Sequence, residues 1–204
     1  LTLFGSFQFL VEEDAPLHFQ TNKVRALLAY LATENGRSHP RDTLANLLWP
    51  ETTTRQARQN LSQALHRLKK TVSRHFPDLV DKHLYITRRS VTMLPTTDIF
   101  CDVVNFEQLL ASVRAHSHDG VAECDHCLSL LTEVVNLYQG DFLSGIHIGA
   151  AEEFDAWLIF RREQFHQQVI HAYDEIINAY YERSEWEQVG EFAQRQLAIE
   201  PWRE

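Results

Sequence analysis

The sequence predicts a mainly α-helical protein in two parts, with β-structure confined to the first part. β-rich segments occur only before residue 95, and apolar residues recur at helical spacing through most of the remaining chain. The charge divides at the same place, because residues 1–95 hold 13 Lys and Arg against 8 Asp and Glu, whereas residues 96–204 hold 6 against 20. We therefore expect a basic domain over residues 1–95 and an acidic domain over residues 98–204.

The composition excludes the disordered and membrane-spanning classes of protein. A hydrophobic share of 44% is enough to bury a core. The chain contains no run of 18 apolar residues and does not open with the charged segment of a signal peptide. We expect a cytoplasmic protein without a membrane partner. Since the sequence begins with Leu and ends in Pro-Trp-Arg-Glu, we also expect it to be part of a longer chain, truncated at its C-terminus.

The first elements are short and rich in β-forming residues. Residues 1–4, 7–11 and 17–19 have this character, and they are separated by a glycine turn and by a polar, proline-ended run at 12–16. We expect these three segments to form a small antiparallel sheet at the start of the basic domain.

Two helices are predicted after this sheet. Asn22 can cap the first helix, whose apolar residues recur at i, i+3, i+4 and i+7, and Gly36 supplies its stop. Pro40 suits the first turn of the second helix, which is about two turns long and ends before Pro50. A short connection links these two helices.

A longer, basic helix is predicted from residue 54 to residue 75, where Phe76-Pro77 ends it. Its apolar residues fall within one stripe roughly 100° wide, the width expected of a helix packed on a core. The residues of this stripe are Ala57, Leu61, Ala64, Leu65, Leu68 and Val72. The rest of the helix is polar, and no acidic residue occurs between Glu51 and Asp78. Charge of one sign repels itself unless a polyanion binds it, so this face predicts an anionic partner.

A β-hairpin is predicted to follow this helix. Its strands cover residues 84–87 and 91–94, and its tip carries Arg88 and Arg89. A small sheet, three helices and a terminal hairpin together predict a winged helix-turn-helix domain.

The second half is predicted to be all helical. Apolar residues keep helical spacing over residues 106–113, 128–138, 151–182 and 186–197. Residues 173–201 resemble one tetratricopeptide repeat, whose packing positions would be Tyr173, Ile176, Tyr180, Val189, Ala193 and Pro201. A single repeat cannot bury its own face, so the resemblance implies a tetratricopeptide-like domain that stacks further helices and offers a surface to proteins.

The basic helix carries the side chains that DNA recognition uses. Arg and Lys neutralise phosphates, whereas Arg, Asn and Gln match base edges in the major groove. We expect Gln63 and Arg67 to contact bases, because the N-terminal half of a recognition helix enters the groove. The other groove candidates are Gln59, Asn60 and His66. The predicted phosphate contacts are Arg55, Arg58, Lys69 and Lys70, with Arg88 and Arg89 reaching a neighbouring groove or backbone.

Several segments resemble one family of bacterial regulators. Residues 21–72 resemble the OmpR-type winged helix of bacterial activators of the antibiotic-regulatory-protein kind, and LYQGDFLSG, EEFDAWLIFRREQF and LAIEPWRE resemble the bacterial transcriptional activation domain that follows it there. The resemblance implies that Arg67 reads a base, with Gln63 one turn earlier, and that His66 and Lys69 contact phosphates. It also implies RNA polymerase as a partner and self-association on directly repeated DNA sites.

A group of Cys and His residues lies in the acidic half. Cys124 and Cys127 form a CxxC, and His116 and His118 form an HxH shortly before it. Zinc prefers four such ligands, so the group predicts a structural zinc site between two helices. Without a metal ion, the cysteines would be ordinary free thiols and the histidines part of a polar loop.

The sequence therefore favours a sequence-specific regulator of transcription that binds double-stranded DNA and requires no cofactor. One alternative is a helical-repeat adaptor, or a regulatory module of a larger signalling protein, whose basic domain recognises an acidic partner. The other is a metal-dependent hydrolase that uses the Cys and His group. An enzyme is not expected, because the sequence has no HExxH, no glycine-rich phosphate loop and no GxSxG.

Overall fold

The computed structural model describes residues 1–10, 16–96, 98–117 and 120–200. Within these residues the chain forms eight α-helices, three short strands and one turn of 3-10 helix. The prediction of a mainly helical chain with β-structure in its first half is confirmed. Among the described helices, even the longest lacks an apolar stretch that could cross a bilayer.

The first half contains four helices and a three-stranded sheet. In chain order these elements are α1 (Asn22–Thr33), β1 (Ser38–Pro40), α2 (Arg41–Leu48), α3 (Thr54–Ser73), α4 (Pro77–His83), β2 (Leu84–Ile86) and β3 (Ser90–Met93). The strands are antiparallel and β3 lies between β1 and β2. Helices α2 and α3 followed by the β2–β3 hairpin give the predicted winged helix-turn-helix arrangement.

Two of these elements differ from the prediction at their boundaries. Thr21 rather than Asn22 caps α1, and its hydroxyl accepts a hydrogen bond from the Val24 amide at 3.3 Å. The basic helix ends at Ser73, two residues before the predicted end at residue 75, and Pro77 starts α4, since a proline at the first helical position loses no hydrogen bond there. The central fold is unchanged by either shift.

Among the described residues, only isolated backbone hydrogen bonds join the three segments of the predicted N-terminal sheet, and further pairing extends from this region to the second half. Thr2 and Gln8 exchange two backbone hydrogen bonds of 2.8 and 3.0 Å, but no strand named above includes either residue. Phe4 instead pairs with Phe142, and Ser6 pairs with Ser144, both in the second half. Residue 11 of the second predicted segment, and residues 12–15 of the predicted connection after it, lie outside the described residues. The N-terminal segment therefore joins the second half, which a pattern of local alternation does not indicate.

The second half is helical, as predicted. Its elements are α5 (Asp102–Ala115), the 3-10 turn Val121–Glu123, α6 (Asp125–Leu137), α7 (Glu152–Glu182) and α8 (Trp186–Ile199). Consecutive helices pack against each other in the pairs α5–α6, α6–α7 and α7–α8. On α8 the predicted stripe is only partly buried, because Trp186 and Leu197 are exposed at 59% and 46%.

Two sets of contacts join the halves. The ring of Phe4 lies 5.1 to 5.3 Å from the rings of Phe106, Tyr138 and Phe165, and the buried carboxylate of Asp102 accepts hydrogen bonds from the amides of Leu3 and Phe4 at 2.8 to 2.9 Å. One hydrophobic core consequently runs through both halves.

The second set of contacts centres on Glu34, which follows α1 and is only 7% exposed. Its Oε1 accepts hydrogen bonds of 3.1 Å from Trp157 Nε1 and from Arg161 Nε on α7. Burial alone would raise the pKa of Glu34, but these donors, with the charges of Arg161 and Arg37, hold it below its ordinary value. The joint between α1 and α7 is thus a charged one.

Candidate nucleic-acid interface and metal cluster

Helix α3 presents one apolar face to the core and one polar face to solvent. All six residues of the predicted stripe are buried, none more than 4% exposed, and they pack α3 against α1 and α2. The N-terminus of α3 is fixed by Thr53, whose hydroxyl accepts from the Gln56 amide at 3.3 Å. The apolar face therefore anchors the helix to the core, and its polar face is available to a partner.

The predicted groove candidates lie together on this polar face. Gln59, Gln63, His66 and Arg67 are all exposed, and their spacing of three or four residues places them on neighbouring turns of one side. Asn60 is half-buried, and its Oδ1 accepts a hydrogen bond of 3.0 Å from Gln56 Nε2. A row of amide, imidazole and guanidinium groups along one helix face can donate and accept hydrogen bonds at base edges.

The predicted phosphate contacts divide into paired and unpaired cations. Arg58 forms a two-pronged ion pair with Asp42 at 2.5 and 2.7 Å and holds the pKa of Asp42 below its ordinary value, and Lys69 pairs with Asp81. Both pairs are exposed and so contribute little to stability, which means that a phosphate can take the place of either carboxylate. Within the part of the chain that the structure describes, the exposed cations without an ion pair on α3 include Arg55, Arg67 and Lys70.

The tip of the β2–β3 hairpin is a tight turn with two exposed arginines. The Thr87 hydroxyl accepts hydrogen bonds from the amides of Arg89 and Ser90 at 3.1 and 2.8 Å, which fixes the turn. No carboxylate among the described residues pairs with Arg88 or Arg89. The predicted wing tip is thus a rigid loop that carries two uncompensated positive charges.

Arg41 connects the wing to α3 and was not among the predicted site residues. Its Nη2 donates to Ser62 Oγ on α3 at 2.7 Å, and its amide donates to the Arg89 carbonyl at 2.9 Å. No local sequence pattern indicates this role, because it depends on the pairing of Pro40 in β1 with Ser90 in β3. The geometry makes the polar face of α3 and the wing tip one continuous basic surface.

Three of the four predicted metal ligands come together at the α5–α6 connection. Nδ1 of His116 lies 3.1 Å from Cys127 Sγ and 3.4 Å from Cys124 Sγ, and the three donor atoms all lie within 4.8 Å of one another. Burial and the neighbouring Cys124 raise the pKa of the Cys127 thiol. His118, the fourth predicted ligand, lies outside the described residues. The arrangement could hold a metal ion.

Comparisons with known proteins identify a family and a solved structure of similar fold. Residues 101–204 match the family model described as the bacterial transcriptional activator domain. The fold is similar to that of a solved structure, Mycobacterium tuberculosis EmbR in complex with low affinity phosphopeptide, with a TM-score of 0.63 at 19% sequence identity. This match covers 97% of the present chain and 58% of that chain, so the present chain spans little more than half of its length. No curated protein sequence matches the chain.

Proposed function

Because the chain belongs to the bacterial transcriptional activator domain family, we propose that it is a sequence-specific DNA-binding regulator that activates transcription through contact with RNA polymerase. The observation that supports DNA binding most directly is the polar face of α3. It carries hydrogen-bonding side chains and uncompensated cations on a helix whose other face is wholly buried. The proposed function is not enzymatic.

In this proposal α3 is the recognition helix and enters the major groove. Gln63 and Arg67 contact base edges, since both are exposed and the charge of Arg67 has no ion-pair partner within the described residues. Arg55 and Lys70 contact phosphates directly. Arg58 contacts a phosphate after its ion pair with Asp42 breaks. The arginines of the wing tip reach the backbone or a neighbouring groove. Residues 1–95 form the DNA-binding domain in this division of the chain.

Residues 98–204 form the activation domain in the same proposal and contact RNA polymerase. Two adjacent apolar side chains on α7, Ile159 and Phe160, are each 65% exposed, which favours a role of this half in protein contacts. The same observation favours the second candidate function, a helical-repeat adaptor without DNA binding. The proposed function needs no cofactor, and a metal ion at His116, Cys124 and Cys127 would stabilise the fold without taking part in DNA binding.

The test is selection of bound sequences from a random DNA pool by the full chain at low salt. We expect one enriched motif, and two spaced copies of it where chains associate on repeated sites. Arg67→Ala should relax the preference at one base position at a cost of about 1–3 kcal/mol, because it removes a contact to that base.

Lys70→Ala is the matched control for that selection. It should weaken binding to all sequences by a similar factor and leave the motif unchanged, because a phosphate contact carries no sequence information. A chain that enriches no sequence and retains no DNA at low salt would favour the adaptor function over DNA binding.

A further inference from the structure

The connection between α5 and α6 brings three metal-binding side chains to one point. His116 is the residue that follows the last turn of α5, and Cys124 caps the N-terminus of α6, where its Sγ accepts from the Cys127 amide at 3.4 Å. Cys127 lies in the first turn of α6 and is fully buried. The cluster therefore takes one ligand from the end of one helix and two from the start of the next.

The two sulfur atoms converge more closely on His116 than a single hydrogen bond requires. Both sulfur atoms approach the same ring nitrogen, Nδ1 of His116, at 3.1 and 3.4 Å. A ring nitrogen has either one proton or one lone pair, so it satisfies one sulfur atom at a time. A shared cation bound to all three atoms satisfies each of them at once.

The two nitrogen–sulfur separations agree with a tetrahedral zinc ion. Zinc lies about 2.3 Å from a thiolate sulfur and about 2.0 Å from an imidazole nitrogen, which puts neighbouring ligands of a tetrahedron roughly 3.6 Å apart. The observed separations of 3.1 and 3.4 Å are within half an ångström of that value. A small movement of the side chains would therefore complete the geometry.

We propose that His116, Cys124 and Cys127 bind one Zn²⁺ ion, which fastens the end of α5 to the start of α6. Two thiolates and an imidazole are ligands that suit zinc and not magnesium or calcium, both of which prefer oxygen. Water or a neighbouring side chain takes the fourth position. The site is structural and does not depend on the DNA-binding function proposed above.

The ion would strengthen a corner of the molecule that α7 already contacts. Arg183, at the end of α7, donates from Nε to the Ala122 carbonyl at 2.6 Å and pairs through Nη1 with Asp125 at 2.7 Å. The ends of α5 and α7 and the start of α6 meet here, while α3 packs against α1, α2 and α4. Loss of the ion should therefore loosen this corner and leave the polar face of α3 intact.

The experiment titrates zinc into the reduced, metal-free full chain against a chromophoric chelator. We expect one equivalent of bound zinc, and cobalt in its place should show thiolate charge-transfer absorption. Cys124→Ser and Cys127→Ser should each lower the affinity by more than about tenfold, because changes even outside the ligand set have that effect. Cys101→Ser is the matched control, since Cys101 lies at the other end of α5, and it should retain the full equivalent.

His116→Ala provides a second route that leaves both thiols in place. It removes an exposed ligand, so folding should be preserved while the zinc affinity falls. Circular dichroism shows whether each variant is folded. Failure of the reduced wild-type chain to take up zinc overturns the proposal, and so does equal affinity in folded Cys124→Ser and Cys101→Ser.

Two further readouts separate this proposal from the proposed function. Zinc should raise the melting temperature of the wild-type chain by several degrees, through its binding to the folded state, and should not raise that of Cys127→Ser. The zinc-free chain should bind DNA with unchanged affinity. A Cys124–Cys127 disulfide that persists in the presence of reductant would overturn the zinc site and would leave the DNA selection unaffected.

Discussion

Glu34 shows how a single charged side chain can be buried between two parts of a protein. It has the indole of Trp157, the guanidinium of Arg161 and, at 2.8 Å, a guanidinium nitrogen of Arg37 around its carboxylate. A buried carboxylate without these donors would be costly, so its burial depends on all of them. Neither composition nor periodicity singles out this residue, because two of its three partners, Trp157 and Arg161, lie more than 120 positions away.

Glu34→Gln should lower the free energy of unfolding at neutral pH by about 2 kcal/mol, because it replaces the charge-assisted hydrogen bonds from Arg161 with weaker neutral ones. The lowered pKa of Glu34 stabilises the fold above pH 4.5, the ordinary value, and this contribution is lost as the pH falls through the folded pKa. The difference between wild type and variant should therefore shrink below pH 4.5. Urea denaturation over a series of pH values measures it.

Glu51→Gln is the control for this prediction. Glu51 also pairs with a cation, Lys23, at 2.8 Å, but its side chain is 44% exposed. An exposed pair contributes little, so this variant should be close to wild type at every pH. If both variants lost the same free energy of unfolding, burial would not explain the contribution of the Glu34 ion pair.

At the scale of elements, the sequence predicts those features that depend on residues close together in the chain. The six buried residues of α3 follow from helical periodicity alone, because one stripe of one helix carries the information. Strand β1 was not predicted, since Ser38-His39-Pro40 has no strand-like pattern and becomes a strand only by pairing with β3. The role of Arg41 and the position of the N-terminal segment depend on non-local pairing in the same way. The grouping of His116 with the CxxC, by contrast, was predictable from their close spacing in the sequence.

The wing carries a prediction of its own. Replacement of Arg88 and Arg89 by Ala should weaken binding to all DNA sequences and reduce the slope of log affinity against log salt by about 2, since two phosphate contacts are lost. Filter binding or fluorescence anisotropy at several salt concentrations measures the slope. Arg114→Ala removes an exposed charge from α5 and should leave the slope unchanged. An unaltered slope in the double variant would place the wing away from DNA.

At the scale of the whole molecule, the hydrophobic core does not stop at the predicted boundary near residue 95. The N-terminal segment pairs with residues 142 and 144, and Phe4 fills a space among aromatic rings of the second half. The division into residues 1–95 and 98–204 stays a prediction about function. By its packing contacts, the N-terminal segment belongs to the second half of the chain.

Phe4→Ala tests this view of the core. Phe4 is 1% exposed, so its truncation should cost about 3–5 kcal/mol. The halves should still unfold in a single transition, with coincident curves from circular dichroism and fluorescence. Phe100→Ala, which truncates a ring that is 60% exposed, should have little effect. Two separate transitions in the wild-type chain would contradict the shared core.

The indole of Trp157, on α7, contacts the first half of the chain through its hydrogen bond to Glu34 and through its ring, which lies 4.9 Å from the ring of Tyr30. The fluorescence emission of Trp157 therefore reports on the contact between α7 and the first half of the chain. In a chain whose other three tryptophans are replaced by phenylalanine, DNA is added and the emission of Trp157 is recorded. A shift of the emission maximum or a loss of intensity would show that DNA binding at α3 changes the surroundings of Trp157 on α7. An unchanged spectrum would mean that the two halves engage DNA as one rigid unit.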